Sequence, residues 1–214
     1  ARMREMLGKD YAAFLASYAR PVKPSLRINT LKASPAAAAE MAGYLGDAVA
    51  WQETGFYYGE TAIDGTVRPG KHSLHEAGLY YIQEASAMLP ASLRRPQPGE
   101  RVLDLCAAPG GKATQLAATL AGEGLLVANE IHPTRAGLLS QNIERMGIRN
   151  ALVTNASSDE LAERFPAFFH QIVVDAPCSG EGMFRKMDEA RSEWSLQAVE
   201  QCVVRQKEIL QNAW

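Results

Sequence analysis

The sequence predicts an α/β protein: a doubly wound, Rossmann-like parallel sheet preceded by a small α+β lobe. Two observations carry this. From residue 101 onward, short runs of Val, Leu and Ile alternate with segments of helical period. Strands that are apolar throughout belong to a parallel sheet covered on both faces. In addition, Val102-Leu103-Asp104-Leu105 runs straight into Cys106-Ala107-Ala108-Pro109-Gly110-Gly111-Lys112 and then into a helix pattern. A strand, a small-residue loop and a helix N-terminus together make a seat for a nucleotide-like ligand.

In chain order, residues 2–18 form an amphipathic helix with Met3, Met6, Leu7, Phe14 and Leu15 on one side, ended by Pro21 and Pro24. Leu26 to Thr30 alternates as a strand. Pro35 to Tyr44 is Ala-rich and helical, entered through Ser34 as N-cap. Residues 49–58 place Trp51, Phe56, Tyr57 and Tyr58 beside Gly55 and Gly59, a hairpin signature. Asp64 to Gly70 is a loop, so the lobe is assigned residues 1–70 and the second domain 71–214. A helix over 85–93 ends before Pro96, Pro98 and Gly99. Strands at 101–105, 125–129, 151–154 and 171–175 then alternate with helices at 112–121, 134–146 and 158–164. A last helix runs from Leu196 to Ala213 with Ser195 as N-cap.

Composition excludes several classes. With 47% hydrophobic and 21% charged residues the chain matches a soluble globular protein, and no apolar run is long enough to span a membrane. Three cysteines do not form a disulfide framework, which fits a reducing cytoplasm. Neither a metal nor a membrane is expected as a partner. The net charge of −2 is unevenly spread: residues 1–32 hold seven Lys/Arg against two acids. A basic lobe on a mildly acidic body fits contact with a phosphate backbone.

The Cys106–Lys112 loop is not a P-loop, because Cys106 stands where the first Gly is needed and Ala113 follows Lys112. It is not a GxGxxG fingerprint either, so a nucleoside without a pyrophosphate is the better ligand. Glu130 ends the next strand twenty residues after Gly110, where an acid accepts hydrogen bonds from a ribose diol. Asp104 either lines the ligand or anchors the loop's N–H groups. At the same sheet edge lies Asp175-Ala176-Pro177-Cys178-Ser179-Gly180-Glu181-Gly182. An acid and a thiol three residues apart suit covalent chemistry on a pyrimidine: a thiolate adds to C6, an acid protonates N3, and C5 then attacks an electrophilic methyl.

At these residues the chain resembles the NOL1/NOP2/Sun family of RNA cytosine-5 methyltransferases, and within it the bacterial 16S ribosomal RNA branch. The resemblance extends over Leu26–Lys32, Tyr81–Pro90, Cys106–Lys112, Asn129-Glu130, Asp175–Lys186 and Arg205–Leu210. It implies S-adenosylmethionine as methyl donor, with Cys106, Ala107, Ala108, Pro109, Gly110, Gly111 and Lys112 around its methionine and ribose. It further implies Glu130 on the ribose hydroxyls, Arg135 beside that site, and Asp175 between cofactor and target cytosine. The basic lobe, Arg27 and Asn29 included, would help hold RNA.

Two features depart from the family pattern. Where the family carries an acid near the adenine, this chain reads Thr154-Asn155-Ala156-Ser157-Ser158, which leaves Asn155 or Ser157 for that contact. In the family's RNA enzymes the attacking thiol belongs to a Thr-Cys pair after a fifth strand, and the thiol corresponding to Cys178 assists product release. The chain reaches Trp214 before such a pair, and Cys202 lies mid-helix. A fragment is therefore expected, with the sheet incomplete at its C-terminus and little or no activity of its own. A transfer RNA substrate, or a non-catalytic RNA-binding or ribosome-assembly role, are the alternatives.

Overall fold

The computed structural model describes residues 2–20, 23–34, 41, 45–59, 68–184, 190, 192 and 194–214. The helix expected over 35–44 and the start of the loop expected over 64–70 lie outside these residues, apart from Met41.

The N-terminal helix is broken. Gly8 adopts φ +48°, and a 3-10 turn there divides α1 (Arg2–Leu7) from α2 (Tyr11–Tyr18). Its apolar side is not a buried face, since Met6 and Leu15 are exposed. Strands β1 (Ser25–Ile28), β2 (Leu45–Val49), β3 (Gln52–Tyr58) and β4 (Tyr80–Ile82) form an antiparallel sheet in the order β2-β3-β1-β4. A short helix α3 (Ser73–Glu76) precedes β4. Both α3 and β4 lie beyond residue 70, on the side the sequence division gives to the second domain. A three-residue strand is too short for periodicity to reveal, and its partner β1 lies over fifty residues upstream.

The second sheet follows α4 (Ala85–Leu93). Strands β5 (Arg101–Asp104), β6 (Leu125–Asn129), β7 (Ala151–Thr154) and β8 (Gln171–Val173) are all parallel, in the order β7-β6-β5-β8. Helices α5 (Gly111–Leu120) and α6 (Pro133–Arg145) cover one face, where Leu116, Leu120 and Leu139 pack on Val102, Leu126 and Ala128. Helices α7 (Ser158–Arg164) and α8 (Leu196–Ala213) cover the other, where Leu161 and Ile209 meet Leu103 and Val127. Helices on both faces of a parallel sheet are the doubly wound arrangement expected from the apolar strands. The carboxyl ends of β5, β6 and β8 open on one edge, where such folds bind ligands.

Candidate cofactor and catalytic site

The loop after β5 is held from two directions. Tyr81 of β4 donates its hydroxyl to the Pro109 carbonyl at 3.3 Å, and Asn142 of α6 donates to the same oxygen at 2.8 Å. Arg135 of α6 donates to the Ala108 carbonyl at 3.0 Å. The glycines serve conformation and packing first. Gly110 has φ +113°, and a Cβ there would stand 3.2 Å from Leu139 Cδ1; one on Gly111 would meet the Gln83 amide at 3.4 Å. Their neighbours are therefore protein side chains as much as any ligand.

Cys106, Ala107, Ala108, Pro109, Gly111 and Lys112 line a cavity of about 190 Å3 together with Asp104, Asp175 and residues of β4 and α4. Lys112 Nζ reaches Asp175 Oδ2 at 2.6 Å, which ties the loop after β5 to the loop after β8. β8 ends at Val173, two residues earlier than expected, so Asp175 stands on the loop and its side chain is 61% exposed. Burial pushes the Cys106 thiol up to about 11, helped by the negative charges of Asp104, Glu130 and Asp175, so it stays protonated and is a poor nucleophile.

Asp104 does not anchor the loop. It is completely buried, and among the described residues no donor reaches hydrogen-bond geometry on either carboxylate oxygen. Burial pushes its carboxyl up to about 7, with Asp175 adding to the rise and Lys112 opposing it. The Cys106 N–H lies near enough to pull the other way without making a bond of good geometry. An unpartnered buried carboxyl lining a cavity is suited to a cationic group.

The remaining expected residues lie outside that cavity. Glu130 is buried at the end of β6; its Oε1 accepts from the His132 N–H at 3.0 Å, and its Oε2 faces Arg135 at 3.3 Å. Asn155 donates to the Glu130 and Ile131 carbonyls, at 2.7 and 2.8 Å. Ser157 donates its N–H and hydroxyl to Glu160 at the start of α7. Cys178 is exposed and lines a separate cavity of about 360 Å3 with Trp194, Arg205 and Cys202. Cys202 thus shares a wall with Cys178, which its mid-helix position did not reveal.

Arg27 and Asn29 are not an RNA surface. Each is 1% exposed. Arg27 points at α5, and Asn29 donates to the Gly78 and Met146 carbonyls at 2.8 Å. Strand alternation could not separate a residue facing solvent from one facing the second domain. Lys32, also counted in the basic lobe, donates to the Ala77 and Arg145 carbonyls. Arg4, Lys9 and Lys23 remain exposed. Among the described residues no cluster of metal-ligating side chains occurs, and no helix is long and apolar enough to cross a membrane.

A family model described as "16S rRNA methyltransferase RsmB/F" matches residues 91–214, and one described as the N-terminal domain of 16S rRNA methyltransferase RsmF matches residues 1–85. Ribosomal RNA small subunit methyltransferase F of Vibrio atlanticus is 40% identical over 210 residues, covering 96% of this chain and 44% of its own length. The protein of the same name from Aeromonas salmonicida is 41% identical over 209 residues, 94% of this chain and 43% of its own. The chain thus spans less than half the length of these relatives. A solved methyltransferase homolog from Pyrococcus horikoshii superposes with a TM-score of 0.83 at 28% identity, covering 99% of this chain and 66% of that one.

Proposed function

The chain belongs to the RsmB/F family of 16S rRNA methyltransferases, and from that premise we propose that it supplies the RNA-contacting lobe and the cofactor seat of an S-adenosylmethionine-dependent enzyme that methylates C5 of a cytosine in 16S ribosomal RNA. The observation that carries this reading is the Lys112–Asp175 contact, which joins the cofactor loop to the acid of the Asp-Ala-Pro-Cys segment across one sheet edge. The family's description supports ribosomal rather than transfer RNA. The sequence divides the two units at residue 70; a later division, between residues 85 and 91, is favoured by the bounds of the two family matches and by β4, which belongs to the first sheet.

The residues present fit S-adenosylmethionine. Asp104 offers an unpartnered carboxyl for a cationic group, and buried Glu130 ends β6 where a ribose diol would lie. When bound, the cofactor supplies an electrophilic methyl group. Arg135 holds Glu130 and the Ala108 carbonyl in place on the ribose side. The side-chain oxygen of Asn155 and the segment through Ser157 face the adenine in this reading. Asp175 holds the proton at N3 of the target ring, oriented by Lys112. Cys178 assists release of the methylated base. Arg4, Lys9 and Lys23 contribute the lobe's charge toward RNA, and the target base must leave its stack to reach Asp175.

RNA containing 5-fluorocytosine tests this reading, because fluorine at C5 cannot leave as a proton and a covalent complex accumulates. The full-length protein with S-adenosylmethionine is expected to form the adduct, and Cys178→Ala is expected to retain it. Loss of the adduct in that variant would make Cys178 the attacking thiol. Failure of the protein to bind S-adenosylmethionine in calorimetry would favour an assembly role instead.

A further inference from the structure

We propose that Arg27 is a positioning residue for the cofactor loop, acting from the lobe through Thr114 on Gly110. The inference rests on the methyltransferase reading and extends it to a residue that is almost wholly buried. Arg27 Nη2 donates to Thr114 Oγ1 at 2.8 Å and to the Gly111 carbonyl at 3.3 Å, while Nε donates to Gln83 Oε1 at 3.1 Å. Since the Thr114 hydroxyl accepts from Arg27, its own proton is directed to the Gly110 carbonyl, 2.7 Å away. Gly110 is the residue with φ +113° at the head of α5. The chain Arg27–Thr114–Gly110 therefore adds a tie from the lobe to the Gly110 carbonyl, which also accepts from the Thr114 N–H at 2.9 Å.

A purely structural join would use something else. Among the described residues no carboxylate pairs with Arg27, and its burial holds the guanidinium down to about 10. It also sits against the N-terminal, positive end of α5, where a cation is disfavoured. An apolar residue of similar volume would join lobe and helix without either cost. What the guanidinium adds is a rigid fork of donors that fixes Gln83, Thr114 and Gly111 relative to one another. Around it, Gln83 and Gln115 are also buried, and the two N–H bonds of Gln115 Nε2 are shared among Gln52 Oε1, Met88 O and Ser92 Oγ, all within 3.0 Å. The position of the lobe is thereby written into the first turn of the cofactor helix.

Calorimetry with S-adenosylmethionine on the full-length protein, with steady-state kinetics for both substrates, tests this. Arg27→Met and Thr114→Val are each expected to weaken cofactor binding about tenfold, with the KM for RNA changed less than about twofold. The double variant is expected to be no weaker than Arg27→Met alone, because both remove one chain of bonds. Lys32→Met breaks a different lobe contact, at the end of α6, and is expected to lower the melting temperature without changing cofactor affinity. Should Arg27→Met not fold, the isosteric Thr114→Val carries the test. Unchanged cofactor affinity in Thr114→Val, a raised KM for RNA in Arg27→Met, or equal cofactor loss in Lys32→Met would each overturn the inference. A wild-type protein that binds no S-adenosylmethionine would instead overturn the reading beneath it.

Discussion

The loop after β5 and the loop after β8 meet at one sheet edge but are built differently. The first is gripped by β4, α6 and the Arg27 chain, its carbonyls at Ala108, Pro109, Gly110 and Gly111 each receiving a side-chain donor. The second is tied by Lys112 to Asp175, by Gln206 Nε2 to the Pro177 carbonyl at 2.9 Å and by Trp194 Nε1 to Glu181 Oε1 at 3.0 Å, and of Ala176, Pro177 and Cys178 only the Pro177 carbonyl receives one of these bonds. Cys178 at its tip is exposed. A seat for a small ligand of fixed shape gains from being pre-formed. In the proposed function the second segment admits a base drawn from RNA, and such a segment gains from remaining open. Binding and chemistry are therefore expected to be separable by mutation, since Lys112–Asp175 joins the two loops and the other side-chain ties named above each serve one of them.

The largest expected effect falls on the second loop. Asp175→Ala in the full-length protein should lower the methylation rate by about 10² to 10⁴ while cofactor affinity stays within about threefold. A large loss of cofactor affinity would break the separation. The next effect belongs to Asp104, at the end of β5 beside the first loop, and depends on pH. Because the folded value of Asp104 lies above its ordinary one, the stability this group contributes is present below about pH 4 and is lost as pH rises to about 7. Asp104→Asn should therefore stabilise the ligand-free protein at pH 8, by on the order of 4 kcal/mol for a rise from 3.8 to about 7. The gain should vanish near pH 4 in denaturant titrations. In the wild type, cofactor binding near pH 7 should release a proton, seen as a buffer-dependent heat.

Gly110→Ala comes next. Its backbone stands at φ +113° and the added methyl would crowd Leu139, so a loss of about 1–3 kcal/mol is expected by thermal melting. Cofactor affinity should fall in parallel. The smallest effect is expected from Gln206→Ala, which removes one hydrogen bond worth about 1 kcal/mol. It should slow methylation severalfold with cofactor affinity unchanged, which would sharpen the contrast between the loops.

The parallel sheet was legible in the sequence because its strands are runs of Val, Leu and Ile, and because Gly110-Gly111 punctuates the first crossover. Local signals such as the Ser195 cap of α8, which accepts from the Ala198 N–H at 3.1 Å, were legible for the same reason. What the sequence left hidden is long-range. β4 is visible only through its pairing with β1, and the direction of Arg27 only through Thr114, 87 positions away. A basic residue in an alternating strand looks like surface until the second domain is set against it. Asp104 showed the converse: its place at a strand end left a ligand-lining role and an anchor equally open, and only the packed structure reveals that its oxygens meet no donor among the described residues.

In the proposed function the ligand seated by Cys106–Lys112 delivers a methyl group to C5 of a cytosine in ribosomal RNA. The most direct measurement uses 16S ribosomal RNA carrying tritium at C5 of cytosine, incubated with the full-length protein and S-adenosylmethionine. One tritium is expected to be released to water for each methyl group gained, with both events slowed together by about 10² to 10⁴ in Asp175→Ala. Methyl transfer without release of C5 tritium would contradict the proposed function.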